Sequence, residues 1–110
     1  MARPGIITPE PIALPEHELL ARVFRTLGDA TRLRLLDTLL DAGLATQREL
    51  VDAVDAPQPR VSEHLRCLVW CGLVAAERHG RATVYRIHDA RAEQFLALAR
   101  TFLDDNAAAV

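Results

Sequence analysis

The stretch TQRELVDAVDAPQPRVSEHLRCLVW, residues 46–70, decides the fold. Thr46 followed three residues later by Glu49 is a capping-box pattern, in which a hydroxyl and a carboxylate satisfy the first free N–H groups of a helix. Leu50, Val51 and Val54 give that short helix its apolar side. Pro57 ends it, because the residue before a proline is pushed out of helical space. Gln58 and Pro59 open a second helix, where a proline in the first turn costs no hydrogen bond. Val61, Leu65, Leu68 and Val69 form its inward side. A short helix, a tight turn over residues 55–57 and a second helix with a polar side make a helix-turn-helix, whose second helix enters the major groove of double-stranded DNA. Gln58, Arg60, Ser62, His64 and Arg66 are the donors it offers to base edges and phosphates. Glu63 interrupts them: a carboxylate repels phosphate, although it could accept from a cytosine amino group.

Working outward, Leu19, Leu20, Val23, Phe24 and Leu27 recur at helical spacing and end at Gly28. Asp29 then caps a helix carrying Leu33, Leu35, Leu36, Leu39 and Leu40, which Gly43 stops, leaving a tight loop over residues 41–45. On the other side, residues 73–78 and 83–88 have strand composition and flank a bend at Gly80, a two-stranded hairpin pattern. Its Arg78, Arg81 and Arg86, with His79, suit a wing lying along phosphates or probing a minor groove. Asp89 caps a last helix with Phe95, Leu96, Leu98, Ala99, Phe102 and Leu103. The predicted architecture is mainly α with a small β-hairpin, a dimeric winged helix-turn-helix. Residues 16–104 form its domain, after a Pro-rich, mobile arm over residues 1–15 and before a tail over residues 105–110.

The chain has 110 residues, enough for one domain and too few for a multidomain enzyme. No nucleophile–base pair, phosphate loop or open metal triad is visible, so an enzyme is not expected. A domain this small buries only about two-thirds of its unfolded surface, which favours a second subunit. The net charge of −2 argues against nucleic acid until its distribution is read. Residues 58–91 hold six Arg against three acids, and the segments on either side are acidic. No window approaches the roughly 20 apolar residues of a membrane span, and residues 1–15 lack the apolar run of a signal peptide. A cytoplasmic protein with no membrane association is expected, its thiols reduced.

Those thiols are Cys67 and Cys71, four apart on the second helix of the quoted stretch. Residues four apart share a helix face, so the two sulfurs can chelate one soft ion; two thiolates already suffice for near-linear Hg(II), whereas Cd(II) or Pb(II) needs further ligands. His79, His17 or an acidic group are the candidates for such a ligand. Burial as small apolar residues is the other reading of the pair. Trp70, between them, is explained either by packing in the core or by a cover from the N-terminal arm or a partner's last helix.

The blocks Leu27-Gly28-Asp29-Ala30-Thr31-Arg32-Leu33-Arg34-Leu35-Leu36, Arg60-Val61-Ser62-Glu63-His64-Leu65, Gly72-Leu73-Val74, and Gly80-Arg81 through Tyr85-Arg86 resemble the signature blocks of the ArsR/SmtB family of metal-responsive repressors. The resemblance implies a homodimer built by the first and last helices that binds an imperfect operator palindrome and leaves it when an inducer binds. Ser62 and His64 match the family's usual Ser-x-His, while Glu63 stands where a basic or polar residue is more common. The family's Cys-x-Cys of the third helix and the zinc ligands of its last helix have no counterpart here. The fourth-helix pair resembles that of the cadmium- and lead-sensing CmtR branch, but the third thiolate which that branch takes from the partner's C-terminal region is missing. The implied function is a repressor released when Hg(II), Cd(II) or Pb(II) binds Cys67 and Cys71, with no organic cofactor. A thiol redox or electrophile sensor of the same fold, and a protein-interaction module that does not bind DNA, are the rival readings.

Overall fold

A computed structural model describes residues 15–107. The arm expected over residues 1–15 therefore lies, Pro15 excepted, outside the described residues, as does the tail beyond residue 107. Five helices and three short strands follow in the order α1 (Glu16–Leu27), α2 (Ala30–Ala42), β1 (Ala45–Thr46), α3 (Gln47–Val54), α4 (Gln58–Trp70), β2 (Val74–His79), β3 (Ala82–Ile87) and α5 (Arg91–Asp105).

The local chemistry accounts for most boundaries. The Asp29 carboxylate accepts from the Arg32 N–H and starts α2. Gly43, at φ 79°, ends it in a conformation that costs glycine nothing. Thr46 and Glu49 form the reciprocal capping box, at 3.1 Å and 2.8 Å. A Thr46→Ala change should cost about 1 kcal/mol, read as a melting temperature several degrees lower with the cooperative transition retained. Asp55 closes α3 in the left-handed region, φ 55°, which its short polar side chain tolerates.

One expectation is extended and one corrected. The β2–β3 hairpin forms as expected, and two-residue β1 adds to its β3 edge, so the antiparallel sheet runs β1-β3-β2. Ala45 thus leaves the loop expected over residues 41–45, and with the cap residue Thr46 it binds the wing to the start of α3. Asp89 is not the N-cap residue of the last helix, a position held by Ala90. Asp89 instead accepts from the Arg91 N–H at 2.9 Å and pairs with its guanidinium, which holds the carboxyl down to about 2.

The core is one cluster beneath α4. Leu35, Leu36 and Leu39 from α2, Leu50 and Val54 from α3, Val61, Leu65 and Leu68 from α4, and Val74 and Tyr85 from the wing are buried together with Leu96 of α5. Helix α1 buries no residue at all. Its Leu19, Leu20, Val23 and Phe24 remain exposed, as do Phe95, Leu98, Phe102 and Leu103 of α5. Trp70 is 89% exposed, so packing into the core is not its explanation.

Candidate functional site

Helix α4 advances about 100° per residue, and this divides the expected reading residues. Gln58, Ser62 and Arg66 are spaced four apart on one side of the helix; Gln58 lies beside the wing, and Arg66 also borders the concavity of Arg32, His64 and Cys67. Gln58 lines a concavity with Arg48 of α3 and Thr83 of β3, and the Arg66 charge is felt by the Tyr85 phenol. Burial raises that phenol above its ordinary value, partly offset by Arg66, and its hydroxyl donates to Gln47 Oε1 at 3.2 Å. Arg60 and His64 lie on the other flank, toward α2. The alternating five therefore do not form a single row, because residues two apart on a helix do not share a face.

The exposed members of the set are Gln58, Arg60 and Arg66, with Arg78 and Arg81 on the wing. None of these four arginines takes part in an ion pair among the described residues. Arg81 sits at the hairpin tip beside Gly80, whose φ of 65° is the only left-handed one in the turn, the pattern of a II′ bend. Arg86 differs. Its guanidinium donates to Glu77 at 3.3 Å, and His79 Nε2 lies 3.2 Å from the same carboxylate. Those two contacts, His79 first, hold the Glu77 carboxyl below its ordinary range.

His64 is also engaged within the subunit. Its Nδ1 accepts from Arg32 Nε at 3.0 Å, and its Nε2 stands 3.7 Å from Asp29 Oδ1. The Arg32 N–H is the main reason that the Asp29 carboxyl is held low. Neither Asp29 nor Arg32 stands out in the sequence as a site residue. Arg48 and Thr83 are likewise visible only once the wing is folded against α3.

Cys67 and Cys71 lie one turn apart, Cys67 toward α2 and Cys71 toward α1 and α5. Cys67 is half-buried and Cys71 exposed. Cys71 forms the C-terminal cap: its N–H donates to the Cys67 carbonyl at 3.0 Å, and its thiol donates to the Leu68 carbonyl at 3.4 Å. Cys67 opens into a concavity with Arg32, His64 and Trp70, and Cys71 into an apolar groove with Val23, Leu27, Trp70 and Phe95. Among the described residues no three His, Cys, Asp or Glu side chains gather in a way that could hold a metal ion. His17 is on the first turn of α1 and His79 is at the end of β2, so neither joins the thiols in a cluster within the subunit. The donor set that the fold supplies is two thiols, which fits a two-coordinate soft cation and does not by itself fit one that needs three or four ligands.

Residues 29–76 match the family model described as bacterial regulatory protein, arsR family. Over 90 residues, 82% of this chain and 71% of the relative, the sequence is 48% identical to a probable mercury resistance operon repressor of Streptomyces lividans. It is 43% identical over 70 residues to the HTH-type transcriptional regulator CmtR of Mycobacterium bovis, covering 64% of this chain and 58% of that protein. The fold matches the homodimeric winged helix-turn-helix DNA-binding domain of a possible ArsR-family transcriptional regulator from Mycobacterium bovis. That match has a TM-score of 0.70 and 28% identity, over 87% of this chain and 91% of that one.

Proposed function

The chain belongs to the ArsR family of bacterial DNA-binding transcriptional regulators, which are not enzymes, and from that membership we propose a homodimeric operator-binding repressor released by a soft metal ion at Cys67 and Cys71. The observation that carries this reading is the position of the thiol pair. The chain's two cysteines stand one turn apart at the end of the helix that would read DNA, so an ion held between them bears on that helix directly. Hg(II) is the inducer this donor set favours, because two thiolates complete its near-linear coordination. The probable mercury repressor at 48% identity supports the same choice. Cd(II) or Pb(II) would need a further ligand from the partner subunit or from outside the described residues.

In this reading Gln58, Arg60, Ser62 and Arg66 face the major groove. Arg78, Arg81 and, once freed from Glu77, Arg86 take phosphates or the minor groove. The functional unit is the single domain of residues 16–104 acting in the cytoplasm, where thiols stay reduced. No helix among the described residues is long and apolar enough to cross a membrane.

The test is a titration of the reduced protein on its own promoter DNA with Hg(II), Cd(II), Pb(II) and peroxide in separate arms. Release at about one Hg(II) per subunit is the expected result. Release by peroxide alone would replace the metal with an oxidant as signal, and no salt-dependent DNA binding in any arm would sink the repressor itself.

A further inference from the structure

Arg32 links three helices, α1, α2 and α4, through polar contacts. Its Nη1 donates to the carbonyl of Thr26 in the last turn of α1, at 3.3 Å. Its own N–H holds the Asp29 cap of α2 at 3.1 Å, and its Nε reaches across to His64 Nδ1 on α4 at 3.0 Å. The Thr26 carbonyl is one of those that a helix end leaves without a partner, so the contact also satisfies α1.

The chemistry of the two groups fixes the proton. A guanidinium has no acceptor and keeps all its hydrogens, so the His64 nitrogen facing Arg32 must be the bare one. The ring proton is then on Nε2, on the side of the Asp29 carboxylate 3.7 Å away. With only 15% of its side chain exposed and both nitrogens directed at α2, the ring is poorly placed to reach a base edge.

The packing of α4 explains why such a tie would matter. Val61, Leu65 and Leu68 attach the helix to the core along one narrow stripe. Apolar contacts along a stripe resist separation well and rotation about the stripe poorly, because they are not directional. Directional bonds on the flank supply that resistance, and a reading helix must be held to within about 10–20° to keep its contacts.

We propose that Arg32 is a positioning residue for operator binding: through His64 it locks the rotation of the reading helix against the ends of α1 and α2. The proposal rests on operator binding and not on thiol sensing. Its test uses the full chain without metal, beside wild-type protein, so that a failure of operator binding itself shows as unshifted DNA in the wild-type lane.

The variants are Arg32→Ala, His64→Leu, the two combined, and His64→Asn, each checked by thermal unfolding. Asn Oδ1 can stand where Nδ1 stands and accept from Arg32 Nε, so His64→Asn should recover most of the affinity. Arg32→Ala and His64→Leu should each weaken operator binding about tenfold, and the combination should be no weaker than either, because all three break one contact. The slope of log affinity against log salt should stay unchanged, since no phosphate contact is lost. Nitrogen NMR of the imidazole should find His64 as the Nε2–H tautomer in the free wild-type protein, with that preference reduced in Arg32→Ala. An Nδ1–H tautomer overturns the proposal even if every variant unfolds. It is equally overturned by an Arg32→Ala protein with wild-type affinity, by losses that add, or by a salt slope reduced by about one.

Discussion

Charging the exposed apolar face, with Phe24→Glu in α1 or Phe102→Glu in α5, will convert the protein to a monomer and weaken operator binding at least about a hundredfold. Phe24 is 67% exposed and Phe102 63%, and Leu98 is more exposed than either at 71%. Eight large apolar side chains on two helices stand uncovered in the subunit, more than a small soluble domain ordinarily leaves in contact with water. A two-fold interface counts every substitution twice, so one glutamate per chain places two carboxylates in the same apolar seam. A monomer can engage only one half-site of a two-fold operator, and loses the high effective concentration that the linked second half provides. Sedimentation together with operator titration checks both parts. A Phe24→Glu protein that stays dimeric and binds normally would move the interface elsewhere.

Cys67→Ser and Cys71→Ser, made singly, will each abolish release by Hg(II) as fully as the double substitution does. A near-linear dithiolate needs both sulfurs, and a hydroxyl is a hard donor that does not replace one. The two losses therefore do not add, as expected for residues that act as a unit. The core should be undisturbed: Cys71 is exposed, Cys67 is half-buried, and neither belongs to the buried cluster. Operator affinity without metal should stay within about twofold of the wild type. If either single variant still released DNA at one Hg(II) per subunit, the remaining thiol would be sufficient, and the chelate would not be the signal.

How much of this was legible in the sequence depended on the range of the interactions. The caps at Asp29 and Thr46, the stops at Gly28 and Gly43 and the bend at Gly80 are local, and each appears where its residues predict it. Strand β1 was not legible, since two residues carry no alternation and their partner, β3, is almost forty positions away. The reading residues are identifiable by type, but their division between two flanks follows from the helical period, not from their alternation along the chain. The tie from Arg32 to His64 spans 32 positions and joins two unremarkable motif residues, so only the folded chain brings it into view. The apolar faces left open on α1 and α5 were expected only through the family resemblance, which puts the dimer seam on the first and last helices, and the 89% exposure of Trp70 decides between a core and a covered surface that the sequence left open.

The central claim is that the thiol pair and the DNA-reading surface are energetically coupled, and coupling of that kind is reciprocal. The most direct measurement is Hg(II) affinity, in a thiol-buffered titration, for the free protein and for the protein saturated with operator. If Hg(II) weakens DNA binding a hundredfold, about 2.7 kcal/mol, operator must weaken Hg(II) binding by the same factor. Equal Hg(II) affinity in the two states would contradict the account, because a ligand that does not distinguish them cannot release the repressor.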